Sequence, residues 1–245
     1  AYVFDQDWNR VLSYPDQSAS HEGVQDALLA DLDGDGQLEL HVGFWGDVGV
    51  HCVTLSGRRL WANPDANHVL SLLSTVAGER TELWATSASG AVTQLDYHGR
   101  SRPLVAHNGL LMHQLFRAAD ADTAAVPYCG ISYGLEGRRL AVGLDADARS
   151  QWRYSLPAGS FASPVQFVTT ARLLDRQSSH WLIAAADGSV HIVSCDGRFT
   201  DHFQTGSPIC GLAGGDLGTA GVLVVSSPDQ VRAWQVSPPL SARAD

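Results

Sequence analysis

The chain has 245 residues, of which 44% are hydrophobic and 17% charged, with a formal net charge of −10 and a pI of about 5.3. That apolar content excludes a disordered or fibrous chain, and the acidity argues against nucleic acid and anionic membrane surfaces as partners. No stretch approaches the ~18 consecutive apolar residues a membrane-spanning helix needs, so no membrane insertion is expected.

Taken in chain order, the first element is a hairpin in Tyr2–Tyr14 (YVFDQDWNRVLSY), turning at Asn9. An apolar stretch at 24–32 (VQDALLADL) is followed by a second at 38–45 (LELHVGFW) and a hairpin at 50–61 (VHCVTLSGRRLW). The same three-part order returns at 69–77, 81–89 and 91–105, and again at 112–120, 126–134 and 140–152. It recurs at 165–173, 180–188 and 189–203, and finally at 209–217, 221–229 and 231–240. Each hairpin alternates apolar and polar residues, turns at a residue type that tolerates positive φ, and resumes on an aromatic or aliphatic side chain, which is how two antiparallel strands read. Helical periodicity is scarce.

Turn markers at Asn9, Gly57, Gly99, Ala148 and Gly197 are spaced by about 48, 42, 49 and 49 residues, a period that suits a four-stranded propeller blade. The expected fold is therefore all-β: a single β-propeller domain over residues 1–245. Its blades would run over about 16–65, 66–109, 110–159, 160–206 and 207–240. The last copy stops after three strands, so Arg10–Tyr14 is expected to supply its fourth strand and close a five-bladed ring through segment 1–15, removing exposed sheet edges. Residues 1–8 then look like a third strand without a blade, and an incomplete six-bladed propeller is the alternative.

One connection carries chemistry. In ADLDGDGQLEL, Asp31, Asp33, Asp35 and Glu39 fall at relative positions 1, 3, 5 and 9, with the Gln37 carbonyl at position 7. Calcium is a hard cation that takes six to eight oxygens, and alternate residues of a tight loop can point inward together while Gly34 and Gly36 allow the curvature. Four carboxylates gathered without a cation would repel one another. An EF-hand would want an acid at position 12, where Val42 stands, and flanking helices in place of these strands.

Residues 31–39, read D-x-D-G-D-G-x-x-E and followed by LHVGFW, resemble the FG-GAP repeat of integrin α-chain propellers and many bacterial extracellular proteins (a VCBS-like calcium-binding repeat). The resemblance implies that Asp31, Asp33, Asp35 and Glu39 offer side chains to Ca2+ and Gln37 a carbonyl. Position 9 is usually aspartate there, so Glu39 departs from the pattern. The equivalent connections of the other repeats, such as 119–126 (ADADTAAV) and 215–222 (GDLGTAGV), assemble no comparable set. A site that fills at 10⁻⁴ to 10⁻³ M calcium implies an extracellular or periplasmic location, with any signal peptide outside these residues.

Trp61 and Trp152 recur in the outer hairpins and Trp84 and Trp181 in the second strands, which points to packing between repeats. Trp45 has no aromatic counterpart in most repeats and is a candidate partner contact, as is the polar group His107, Asn108 and His113. Four cysteines (Cys52, Cys129, Cys195, Cys210) lie in apolar runs without CxxC spacing, as buried thiols do, with one disulfide of undetermined pairing left open. The expected function is a non-catalytic, calcium-stabilised binding module for a protein or glycan, monomeric or part of a longer chain. The alternative is a carbohydrate-active enzyme, a glycoside hydrolase or lyase, with Asp26, Asp120 and Asp216 as acids near the axis.

Overall fold

The computed structural model of the chain describes residues 1–16, 20–77, 80–106, 110–118, 124–133, 139–159, 168–174, 178–216, 218 and 220–236. Its regular elements among these are 21 strands in six sheets. The first sheet pairs β1 (Tyr2–Phe4) with β2 (Arg10–Ser13). The second orders β3 (Val24–Ala30), β4 (Glu39–Phe44), β5 (Val50–Thr54) and β6 (Arg59–Asn63) as an antiparallel meander. The third does the same with β7 (Val69–Ala77), β8 (Arg80–Ser87), β9 (Ala91–Leu95) and β10 (Ser101–Ala106). The fourth holds β11 (Leu111–Arg117), β12 (Tyr128–Tyr133), β13 (Arg139–Leu144) and β14 (Ser150–Ser155). The fifth holds β15 (Val168–Ala171), β16 (His180–Ala184), β17 (Ser189–Ser194) and β18 (Phe199–Gln204). The sixth orders β19 (Gly211–Asp216), β20 (Gly221–Ser226) and β21 (Val231–Val236).

The chain divides into two compact units, Ala1–Leu115 with Ile131–Gly134, and Phe116–Gly130 with Leu135–Asp245. In the first unit β3 lies against β7, and in the second β15 lies against β19, so successive sheets meet through their first strands. Central strands are buried on both faces: β4 is buried throughout, as is β16, while the fourth strands β6 and β18 are mostly exposed. That gradient explains why the second strands read as continuous apolar runs and the outer hairpins as alternating ones.

A five-residue turn joins the third and fourth strands. Thr54 N donates to Arg58 O at 2.9 Å and Gly57 N to Thr54 O at 2.8 Å. The same pair of bonds recurs in Asp96–Arg100, Asp145–Arg149, Ser194–Arg198 and the N-terminal Asp5–Asn9. Its fourth residue is left-handed each time: Trp8 (φ 62), Gly57 (φ 90), Gly99 (φ 74), Ala148 (φ 61) and Gly197 (φ 86). The N-terminal marker is thus Trp8, one residue before the expected Asn9. Asp5 Oδ1 accepts from Asp7 N at 2.9 Å and Asn9 N at 2.8 Å, which holds Trp8 there despite its side chain.

Four residues after that position, the fourth strand packs onto the turn of the next sheet. Leu12 stands over Gly57, Trp61 over Gly99 and Trp152 over Gly197. Trp61 Nε1 donates to Tyr97 O and Trp152 Nε1 to Cys195 O, both at 2.9 Å. The recurrent tryptophans are therefore packing between sheets, as expected, and Trp84 and Trp181 are buried in second strands.

The expected closure is corrected. Among the described residues, β2 is hydrogen-bonded to β1 and not to the last sheet, and that sheet comprises β19–β21. The turn at Asp5–Asn9 brings β1 and β2 together across five residues, so the local partner forms with little loop-closure entropy. Because Leu12 holds the place of Trp61 and Trp152, β1 and β2 are the third and fourth strands of a partial blade, the arrangement that the six-bladed alternative anticipates.

Candidate functional site

The loop between β3 and β4 is built by alternation. Leu32 turns inward to a core of Ala30, Val50, Val69, Leu72 and Leu83, which sends Asp31 and Asp33 outward. Gly34 (φ 77) and Gly36 (φ 84) then reverse the chain where a Cβ would strain it. Asp31 organises the turn, its Oδ1 accepting from Gly34 N at 2.7 Å and its Oδ2 from Gly36 N at 2.9 Å. Asp33 Oδ1 accepts from Asp35 N at 3.2 Å. Glu39 opens β4, paired with Ala30 and Thr54, and is buried although acidic.

Carboxylate oxygens of Asp31, Asp33 and Glu39 lie within 4.8 Å of one another. Asp35 stands outside that trio. Its Oδ1 accepts from Gln37 N at 2.7 Å and its Oδ2 from Gln37 Nε2 at 3.3 Å. Burial first, and then the charges of Asp33, Asp35 and Asp31, hold the Glu39 carboxyl above its ordinary pKa. The same environment reaches Cys52, whose thiol is pushed up to about 12 by burial and then by Glu39 and Asp33. An all-oxygen donor set with a desolvated carboxylate facing like charges fits a hard divalent cation and suits neither a thiolate- nor an imidazole-seeking metal.

Trp45 lies at the other end of β4, six residues beyond Glu39 and hence roughly 20 Å away along the strand. It is partly exposed, its ring set edge-on to His68 at 5.5 Å, and His68 Nε2 lies 3.5 Å from Asp47 Oδ1. His107 and Asn108 lie outside the described residues, and His113 is half-buried on β11. Of the three acids considered for catalysis, Asp120 and the Asp216 side chain are likewise outside them. Asp26 is engaged between sheets: its Oδ2 accepts from Leu72 N at 2.8 Å and Ser71 Oγ at 3.1 Å. Ser71 Oγ in turn accepts from Leu115 N at 3.2 Å, so β3, β7 and β11 are joined by one polar relay.

Two histidine contacts escaped sequence reasoning. Tyr14 OH is hydrogen-bonded to His51 Nδ1 at 2.8 Å, and Tyr154 OH to His191 Nδ1 at 2.7 Å, each tyrosine being 37 residues ahead of its histidine. The signal was present as that shared spacing and as the matching strings DVGVH (47–51) and DGSVH (187–191). Burial drives His51 down to about 4 and lowers His191 as well. His191 Nε2 lies 2.9 Å from Ser189 Oγ, which donates to Asp187 Oδ1 at 2.5 Å. Because Ser189 Oγ gives its one proton to Asp187, it can only accept from His191 Nε2, which puts the proton of the neutral ring on Nε2 and leaves Nδ1 to accept from Tyr154 OH. A nucleophilic serine needs the opposite polarity, with its hydroxyl donating to the imidazole, and Ser189 is fully buried. These residues are a structural wire. All four cysteines are free thiols, Cys52 and Cys129 buried and the other two half-buried.

No family model and no curated protein matches the chain. Solved structures do. The structure of BBS1N in complex with ARL6DN aligns with a TM-score of 0.59 at 13% identity, over 87% of this chain and 68% of that one. BamB from Moraxella catarrhalis aligns at 0.56 and 18%, over 94% and 61%. The Dos1 propeller aligns at 0.58 and 12%, over 96% and 58%. The chain thus spans roughly three fifths to two thirds of the length of these three structures. Identities this low establish architecture alone, and together with the repeating four-stranded sheets they make the chain a β-propeller.

Proposed function

We propose that this propeller is a non-catalytic binding module whose first complete blade is pinned by a calcium ion. The observation that carries the metal reading is the buried Glu39 carboxylate, gathered with Asp31 and Asp33 within 4.8 Å. Asp35 and the Gln37 carbonyl would complete the oxygen set, as the FG-GAP resemblance implies. The ion would neutralise the trio and fix the β3–β4 connection. A site of the low-affinity extracellular class would fill where calcium is millimolar, which suits a location outside the cell or in a periplasm.

A binding role is supported by the structure of BBS1N in complex with ARL6DN, a similar fold with a protein partner. The exposed Trp45, with His68 and Asp47 beside it, offers an aromatic edge and polar groups suited to a protein or glycan surface.

Thermal melts with 1 mM calcium or with chelator test the metal. With a Kd of about 10⁻⁴ M, calcium adds about 1.4 kcal/mol; Asp33→Asn should remove that increment and make the melt insensitive to chelator. Identical wild-type melts in both conditions would refute the ion. Turnover of a chromogenic glycoside panel, abolished by Asp26→Asn, would refute the non-catalytic reading.

A further inference from the structure

At the end of β4 away from the carboxylate loop, three connections are tied together by their backbones. His68 N donates to Gly46 O at 2.8 Å, and Ala88 N donates to His68 O at 3.0 Å. These bonds join the connection after β4, the connection after β6 and the β8–β9 turn, all within the first compact unit. Asn63 Oδ1 accepts from Asp65 N at 2.9 Å and from Ala66 N at 3.1 Å, which fixes the start of the middle connection. His68 is thereby held at φ 47, a left-handed backbone that a side chain disfavours. Such a conformation persists only where the surroundings over-determine it.

Between residues 65–67 and the β8–β9 hairpin lies a cleft of about 80 Å³. Its lining has an apolar part and a polar part. Ala66, Ala85 and Ala91 contribute small apolar side chains, and the Thr86 hydroxyl is already engaged, donating to Met112 O at 2.7 Å. Beside them stand the Asp65 carboxylate, the Asn67 amide and the Thr93 hydroxyl, none of which is hydrogen-bonded to another described residue. No arginine lines the cleft, so it lacks the fixed positive charge that binds a carboxylate or phosphate. At roughly 10–15 Å³ for each water, the space holds about five to eight of them, close to the number of oxygens on one sugar ring. Asn67 leads directly into His68, whose ring meets the partly exposed Trp45 edge-on at 5.5 Å.

We propose that this cleft is a subsite for one uncharged pyranose unit of a glycan. The proposal rests on the binding-module reading above and names its ligand class. A pyranose presents C–H groups on one face and a rim of hydroxyls that both donate and accept. The alanine side chains receive the C–H face. Asp65 accepts from sugar hydroxyls, the Asn67 amide donates and accepts, and the Thr93 hydroxyl does the same. An acidic sugar would set its carboxylate near Asp65 with no cation to offset the repulsion. The braced connections present these groups in place before the ligand arrives, which lowers the ordering cost of binding. A methyl hexoside has roughly a dozen heavy atoms, so a single unit binds weakly, with a Kd on the order of 1 mM.

Saturation-transfer NMR of residues 1–245 tests this with the methyl glycosides of glucose, galactose, mannose, N-acetylglucosamine and N-acetylgalactosamine, and with methyl glucuronide as the acidic control. At least one neutral glycoside should bind with a Kd on the order of 1 mM, and the glucuronide at least about tenfold more weakly. Thr93→Val keeps the shape of the side chain and removes its hydroxyl, and Asn67→Ala removes the amide. Each should weaken binding roughly 3- to 10-fold with a melting temperature within a few degrees of wild type. If Asn67→Ala fails to fold, Thr93→Val alone decides. No transfer to any neutral glycoside at about twenty times that Kd, a glucuronide bound as tightly as the neutral sugars, or folded variants with wild-type affinity would each overturn the subsite. Methanol release in the same spectra, abolished by Asp26→Asn, would instead refute the non-catalytic reading and leave the subsite standing.

Discussion

Replacing Gly99 by alanine isolates the contact that joins successive blades. At φ 74 an alanine pays the left-handed penalty of about 1–2 kcal/mol. Its Cβ would also lie 2.5 Å from Cδ2 and Cε3 of Trp61, an indole held by its bond to Tyr97 O. Relieving that overlap by moving the ring costs a further ~1–3 kcal/mol. Gly206 is the control, at φ 75 with nothing within 4 Å of a built Cβ. Gly206→Ala should therefore lose about 1–2 kcal/mol and Gly99→Ala about 2–5 kcal/mol, compared by urea midpoints at constant m. Adding Trp61→Ala to Gly99→Ala should recover the steric part, giving a coupling of about 1–3 kcal/mol in the double-mutant cycle. Equal losses in the two glycine variants, or strict additivity in the cycle, would refute the latch.

His51 is neutral in the fold with a pKa of about 4 against 6.5 when unfolded, so its contribution is present above pH 6.5 and is lost as pH falls toward 4. A gap of about 2.5 pH units caps that loss near 3 kcal/mol, and partial solvent screening brings it to about 1–2 kcal/mol; His51→Gln should flatten the pH–stability curve between 6.5 and 4.5 relative to wild type. Asp26→Ala strands Leu72 N and Ser71 Oγ between sheets and should lower stability by about 1–3 kcal/mol in denaturant titration. Under native conditions near pH 8 a disulfide-exchange reagent should label no more than two thiols per chain, Cys195 and Cys210, because burial holds the Cys52 and Cys129 thiols protonated. Fast labelling of all four would contradict the packing around β5 and β12.

The repeating sheets were legible because each strand couples to the core through a local pattern: LELHVGFW is mostly apolar, Glu39 and His41 apart, since β4 is covered on both faces, and the hairpins alternate since their fourth strands are open. The carboxylate loop was legible for the same reason, its acidic residues and glycines being close in sequence. The rest depends on partners 36 to 46 residues apart, as with Asp26 and Leu72, Trp61 and Tyr97, or Tyr14 and His51. Nothing about Ser71 alone marks it as the link from Asp26 to Leu115. The closure failed because pattern alone gives β2 no preference between β1 and β21, whereas the Asp5 turn decides it locally.

The placement of the two candidate sites on one strand constrains how they could cooperate. Glu39 begins β4 and Trp45 follows its end, with a regular antiparallel ladder to β5 from Glu39 to Gly43 and one to β3 whose register shifts only between Val24 and Asp26. A buried strand paired on both edges does not slide or bend in response to an ion at one tip, since register is fixed by every side chain along it. A calcium ion at the Asp31 loop and a partner at Trp45, as proposed above, would therefore be coupled through the folding of the blade rather than through a reshaped contact. Partner affinity should follow the folded fraction, becoming independent of calcium wherever the chelated protein is still native, and an affinity that changes with calcium at constant fold would place the partner on the metal loop itself.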